Sequence, residues 1–248
     1  MFKVLSLSLL SVLPLTLVAC SGSRDADDEF SLFGEEAAAK DSDGDGLTDA
    51  EEAELGLDAL SPDSDGDGYD DGLELEENTD GLDADDHPYT GGWEIGACRN
   101  DLQGTGDSVG DIAEQFELLD QHGDTVRLHD FCDKTVLLVS SAEWCAPCND
   151  EAPIVGAWYD DHAEEGLMVI TLLSEDSRGR TPDTDTLMGW QTAHGLSHPV
   201  VADAGSDVTQ RYVPPSYGIP TMHLIGPGGE ILATDTYLSE SDVVGALP

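Results

Sequence analysis

The chain has 248 residues, of which 53 are Asp or Glu and only 9 are Lys or Arg, for a formal net charge of −44. A surface of that sign repels nucleic acid and anionic headgroups, which excludes both as partners. The length accommodates one sizeable domain with an appendage, and the 5 cysteines make export and thiol chemistry the first questions.

Residues 1–19 carry Lys3 and then an apolar run from Val4 to Val18. The run is too short and too one-ended for a stable membrane span and reads as a secretory signal peptide. Its end, Leu17-Val18-Ala19-Cys20, resembles the bacterial lipobox, which implies a diacylated Cys20 at the mature N-terminus. Cleavage of an ordinary signal near Ala19 is the alternative. Either way the protein is exported; the lipobox implies a lipid-anchored protein of the cell envelope, on a periplasmic face or the cell surface, and Ser21 is compatible with the outer membrane. Residues 20–40 are acidic and poor in core-forming side chains, as expected of a flexible tether.

Between 41 and 88 the sequence repeats with a period of 22: DSDGDGLTDAEE at 41–52 returns as DSDGDGYDDGLE at 63–74. Each copy has acidic residues at loop positions one, three, five, nine and twelve and glycine at six. Calcium takes six to eight oxygens around a sharp glycine turn with a closing bidentate glutamate, so this spacing predicts two ions. The predicted ligands are Asp41, Asp43, Asp45, the Leu47 carbonyl, Asp49 and Glu52, then Asp63, Asp65, Asp67, the Tyr69 carbonyl, Asp71 and Glu74. The segment resembles the thrombospondin type 3 repeats of bacterial surface proteins, which implies calcium as a structural stiffener. A solvated acidic spacer is the plainer alternative. The echo fades at 78–85, before His87-Pro88.

Residues 89–105, with Cys98, read as a linker, and Tyr89-Thr-Gly-Gly92 as a hinge that decouples the halves. From 106 to 248 apolar runs alternate with amphipathic stretches, the mark of an α/β domain. Two short strands around a Gln-His-Gly-Asp turn are predicted within 109–131. A strand at 135–140 follows, then a helix reaching 165, a strand at 167–173, a helix at 183–194, a hairpin at 222–225 and 230–233, and a helix at 239–246. His122, His129, His194 and His198 fall at turns and element ends and are expected at the surface.

The stretch Ala142-Glu-Trp-Cys-Ala-Pro-Cys-Asn-Asp-Glu-Ala-Pro153 lies between the first long strand and the following helix. Two cysteines three apart could be a redox pair, half of a zinc site or a structural disulfide. Zinc needs four ligands, and no second CxxC exists. A bridge across so short a loop is easily reduced, which argues against a purely structural one.

Trp144-Cys-Ala-Pro-Cys148, the following Glu-x-Pro, Gly110-Asp111 and Tyr217-Gly-Ile-Pro-Thr221 together resemble the TlpA-like branch of the thioredoxin superfamily. The resemblance implies a thioredoxin-like α/β fold with a central mixed sheet flanked by helices. It also implies thiol-disulfide oxidoreductase activity without an organic cofactor. Cys145 would attack, Cys148 resolve, Trp144 shield and Pro147 restrain the loop, and Pro220 would be a cis-proline facing the pair. Partners implied are protein thiols or disulfides, a membrane-embedded or periplasmic thiol donor, and the membrane through the lipid. Asn149 and Glu143 depart from the family's usual basic and small or hydroxyl residues. The remaining Cys98 and Cys132 are expected to bridge in an oxidising compartment, with two buried thiols as the alternative. Competing readings are a thioredoxin-fold peroxidase, whose usual hydroxyl three residues before the reactive cysteine is replaced by Ala142, and a calcium-dependent surface interaction protein.

Overall fold

The computed structural model describes residues 40–212, 218–235 and 237–248. The predicted signal peptide, Cys20, the predicted tether up to residue 39 and Tyr217 lie outside the described residues. Among the described residues no helix is long and apolar enough to cross a membrane.

The core is a five-stranded mixed sheet. Strand β3 (Thr135–Ser141) pairs in parallel with β4 (Leu167–Leu173), and β4 pairs in parallel with β5 (Val200–Ala202). On its other side β3 pairs antiparallel with β6 (Thr221–Ile225), which pairs antiparallel with β7 (Ile231–Asp235). All seven residues of both β3 and β4 are buried, as strands covered on two faces require. Alternation sends Val136, Leu138, Met168, Ile170 and Leu172 into one layer and Leu137, Val139, Leu167 and Val169 into the other. Helix α3 (Ala146–His162) covers the second layer through Val155 and Trp158, and α4 (Thr184–His194) packs Leu187 and Trp190 near the cysteine pair. This is the thioredoxin-like arrangement that the motif implied.

Ahead of the sheet, β1 (Glu117–Leu119) and β2 (Thr125–Arg127) form an antiparallel pair. Their turn is tied by Asp120 Oδ1, which accepts the N–H groups of His122, Gly123 and Asp124. The predicted elements appear with boundaries shifted by a few residues. Strand β5 and helix α5 (Asp207–Tyr212) were not anticipated, because three and six residues are too few to show a period. The closing helix α6 spans Glu240–Val244.

The segment 89–105 is not a hinge. Tyr89, Trp93 and Ile95 are buried in the same cluster as Phe131, Val136 and Ile170. Tyr89 Oη donates to Asp130 and accepts from the Arg127 N–H, and the Thr90 N–H reaches Asp124 at 2.7 Å. Large aromatic side chains gain too much by burial to remain in a solvated linker. A disulfide joins Cys98 to Cys132. Beside it the buried Arg99 guanidinium binds Asp86 at 2.6 Å, Asp130 at 3.1 Å and the Asn78 carbonyl at 3.0 Å. Asn78 caps the second acidic repeat's helix and returns a bond to the Ile95 carbonyl, so the halves are joined by polar contacts as well as by the chain.

Two of the four histidines expected at the surface are buried, while His122 is exposed. His198 is fully buried, with Nε2 3.0 Å from Thr171 Oγ1, and His129 is buried against the Ala113 carbonyl. His223 is buried on β6, hydrogen-bonded to Thr234. Burial lowers the pKa of His198 to about 3 and of His223 to about 4, so both stay neutral in the native protein. The unfolded chain therefore binds more protons below pH ~6.5, and stability is lost as pH falls from there toward the native pKa values. Each buried histidine accounts for about 2 kcal/mol of this loss near pH ~5. Urea unfolding at neutral pH and near pH ~5 is expected to show a loss in His198→Gln that is smaller by that amount; an unchanged pH dependence counts against the linkage.

Candidate functional site

The placement of the cysteine pair follows from where β3 ends. Beyond Ser141 the chain turns through the buried Ala142, whose carbonyl accepts the Cys145 N–H at 3.0 Å. Cys145 is the N-cap of α3, a 17-residue helix. Pro147 lies in the helix's first turn, where an N–H would have no helical partner. Cys145 and Cys148 form a disulfide, and the Cys148 N–H points at Cys145 Sγ from 3.2 Å. Helix-end amides and the helix dipole stabilise negative charge on that sulfur once it is reduced.

The antiparallel register of β3 with β6 sets Ser140 opposite Thr221 and carries the preceding loop to the cysteines. The Ile219 carbonyl oxygen lies 3.6 Å from Cys145 Sγ, and the Ile219–Pro220 peptide is cis. Cys145 is 3% exposed and Cys148 1%. The Cys145 sulfur is thus enclosed: Ile219 and the apolar cluster of Ala142, Leu187 and Trp190 hem it in. The large exposed surface at the site belongs to Trp144, at 55%.

Trp144 is held by a residue that sequence reasoning missed. Its Nε1–H donates to Glu175 Oε2 at 2.6 Å, from the loop after β4. The same loop is fastened to the motif twice more, by the Glu143 N–H on the Glu175 carbonyl at 2.9 Å and by the Ser177 N–H on Glu143 Oε2 at 2.5 Å. Glu143, unusual in the motif, therefore has a local task. Asn149 has one too, donating to the carbonyls of Glu143 and Cys145 at 3.1 and 2.8 Å. The loop is closed by Arg180, which hydrogen-bonds Asp176 and holds its carboxyl down at about 2. Burial raises the carboxyl of Glu151, one turn after Cys148.

The acidic loops make a second constellation. In each, aspartates accept N–H groups from within the loop: Asp41 from Gly44, Asp45 from Leu47, Asp63 from Gly66 and Asp67 from Tyr69. Position six is Gly46 or Gly68, at φ 103° and 105°, a backbone state that favours glycine. Carboxylate oxygens of Asp41, Asp43 and Asp45 lie within 4.8 Å of one another, as do those of Asp63, Asp65 and Asp67. Each loop leads into a short helix, α1 (Asp49–Leu55) or α2 (Asp71–Glu77), which brings the closing glutamate back to the loop.

Glu52 and Glu74 are 0% exposed, and Glu52 Oε1 and Oε2, Glu74 Oε2, Asp43 Oδ2, Asp65 Oδ2 and Asp67 Oδ2 have no hydrogen-bond partner among the described residues. Burial, with Asp67 and Asp65 nearby, raises Glu74 to about 7. Buried carboxylate oxygens without donors are costly, and an all-oxygen set of this kind fits a hard divalent cation. The position-nine aspartates are partly engaged elsewhere: Asp49 accepts from Lys40 and Ser42, and Asp71 from Ser64. Leu47 is buried, and Tyr69 stacks on His87 with centroids 5.3 Å apart.

Residues 109–234 match the family model described as AhpC/TSA family. Among curated proteins, the thiol-disulfide oxidoreductase ResA of Halalkalibacterium halodurans is 30% identical over 129 residues, which cover 52% of this chain and 68% of the relative. ResA of Bacillus anthracis is 29% identical over 126 residues, covering 50% and 67%. Among solved structures, the thioredoxin domain of a thiol-disulfide oxidoreductase from Bacteroides vulgatus aligns at 20% identity with TM-score 0.48, covering 57% of this chain and 99% of that one.

The hydrogen bond between Glu175 and Trp144 is open to test. Glu175→Ala is expected to lower kcat/KM toward a protein disulfide roughly tenfold, the equivalent of about 1.4 kcal/mol for one hydrogen bond. Glu175→Gln, which keeps an acceptor, is expected to restore most of it. Steady-state kinetics with a small aromatic disulfide alongside provide the control, since that substrate does not need Trp144 held in place.

Proposed function

This chain belongs to the AhpC/TSA family and is a thiol-disulfide oxidoreductase, and we propose that it exchanges disulfides with exported proteins through Cys145 and Cys148. In the reduced enzyme the Cys145 thiolate attacks one sulfur of a substrate disulfide. A mixed disulfide forms as the other substrate sulfur leaves as a thiolate and takes a proton. The Cys148 thiolate then attacks Cys145 Sγ, releases the second substrate thiol and closes the Cys145–Cys148 bond, so two electrons pass to the substrate. The same steps reversed oxidise a dithiol. A membrane-embedded or periplasmic thiol donor returns the pair to the reduced state.

The observation that carries this reading is the placement of Cys145 Sγ, at the N-cap of α3, 3.2 Å from the Cys148 N–H and 3.6 Å from the Ile219 carbonyl. The exposed Trp144 and the Ile219 backbone are the groups that would contact an extended substrate segment. Ala142 offers no hydroxyl to a peroxide, which favours disulfide exchange over peroxidase chemistry.

The protein works in the cell envelope, lipid-anchored through Cys20 behind a cleaved signal peptide and set off by the tether at 20–40. The loops at 41–52 and 63–74 each hold a calcium ion, a reading supported by the buried, partnerless oxygens of Glu52 and Glu74. Extracellular calcium modules bind at about 10⁻⁴ to 10⁻³ M, which suits a constitutive stiffener.

Cys145→Ser is expected to abolish reduction of a protein disulfide, whereas Cys148→Ser accumulates mixed disulfides visible on non-reducing gels. Equal residual turnover in the two variants would sink the division of roles. The reduction potential fixes the direction: near about −270 mV the pair is a reductant, near about −120 mV an oxidant.

A further inference from the structure

The two acidic loops are related by a 22-residue shift, yet their surroundings differ. At position nine of the first loop, Asp49 Oδ2 accepts from Lys40 Nζ and Ser42 Oγ, each at 2.9 Å. Its counterpart Asp71 accepts from the N–H and hydroxyl of Ser64 at 2.8 and 2.6 Å, with no lysine beside it. Asp71 is 1% exposed, and its carboxylate lies within 4.8 Å of those of Asp45 and Glu52, both from the first loop. Glu52 is fully buried there, and neither of its oxygens has a hydrogen-bond partner among the described residues.

The backbone brings the repeats together at this point. The Gly72 N–H donates to Asp45 Oδ2 at 3.0 Å, and a Cβ on Gly72 would stand 2.4 Å from the Asp45 carbonyl oxygen. The first repeat carries Ala50 at the matching position, so glycine stands where α2 abuts the first loop. On the other side, a Cβ on Gly81 would meet Asp71 Oδ1 at 3.2 Å and Glu74 Oε2 at 3.3 Å. Those two oxygens therefore face a common point, and that Glu74 oxygen is also partnerless. Asp71 thus stands between the closing glutamates of both loops.

We propose that Asp71 is a ligand shared between the repeats, completing the first calcium site from the second repeat so that the two ions bind as a coupled pair. This rests on the calcium reading of the loops. Asp71 faces the carboxylates of Asp45 and Glu52 on one side and that of Glu74 on the other, no lysine or arginine among the described residues pairs with any of the four, and repulsion between these neighbours opposes a compact arrangement until cations arrive. An ion in either loop fixes Asp71 and the start of α2, and so assembles part of the other site.

Calorimetric titration of the full chain with calcium chloride distinguishes the sharing from the site reading itself. The native sequence is expected to bind two ions. Asp71→Asn is expected to weaken both by at least about tenfold, whereas Asp49→Asn weakens one. Gly72→Ala, made in the second repeat, is expected to weaken the ion of the first by prising α2 from Asp45. Protein-disulfide reduction and the far-ultraviolet dichroism of each variant verify that the redox domain is folded. Loss of a single ion in Asp71→Asn overturns the sharing and leaves the calcium sites standing. Failure of the native chain to bind calcium at millimolar concentration overturns the sites and the sharing together.

Discussion

Everything at the redox site depends on how strand β3 ends. The strand is buried from Thr135 to Ser141, between β4 on one side and β6 on the other, so its exit from the sheet is fixed by pairing along its length. The chain must turn at Ala142 and begin a helix within a few residues, which makes Cys145 a helix cap rather than a loop residue. The same sheet brings the other wall. Because Ser140 pairs with Thr221, Pro220 and Ile219 have nowhere to lie but alongside the turn. The parallel partner β4 delivers the third wall, the loop with Glu175 and Ser177. The loops of β3 and β6 thus meet at the Cys145 sulfur, and the loop of β4 is fastened beside them to Glu143 and Trp144, each strand being placed by backbone hydrogen bonds that a single surface substitution does not disturb.

The acidic half is built on a different principle. Of the side chains in its two loops and short helices, Leu47 is the buried apolar one, while Glu52, Asp71 and Glu74 are buried carboxylates. Apolar burial of that extent cannot offset the entropy of ordering some fifty residues. Its order depends on backbone turns, on electrostatic compensation of the carboxylates, and on its seam with the redox domain at Asn78, Asp86 and Arg99.

What could be read from the sequence was whatever is periodic or local. The long buried strands, the cysteine spacing and the Pro220 position announce themselves within a window of a few residues, and the 22-residue echo does so by repetition. Glu175 is 31 residues from the tryptophan it holds, and Gly72 is 27 from the aspartate it touches, so neither contact leaves a local trace. The misreading of 89–105 has a different cause. Thr90-Gly91-Gly92 has the composition of a hinge, but the aromatic residues on either side outweigh it. His198 likewise gave no sign of burial, because its partner Thr171 is on a neighbouring strand.

That misread segment bears on where the redox unit begins. A fragment started at Val109, where the family match opens, would lack Tyr89, Trp93 and Ile95 and leave a trough beside Phe131 and Val136. It would also strand Asp130 without Tyr89 or Arg99, a carboxylate inside the protein with Arg127 as its remaining cationic neighbour. Cys132 would lose its mate and become an unpaired thiol. The smallest autonomous piece is accordingly larger than its fold, and a minimal catalytic unit cut for expression or transplanted into another protein has to take the strap from Tyr89 onward with it.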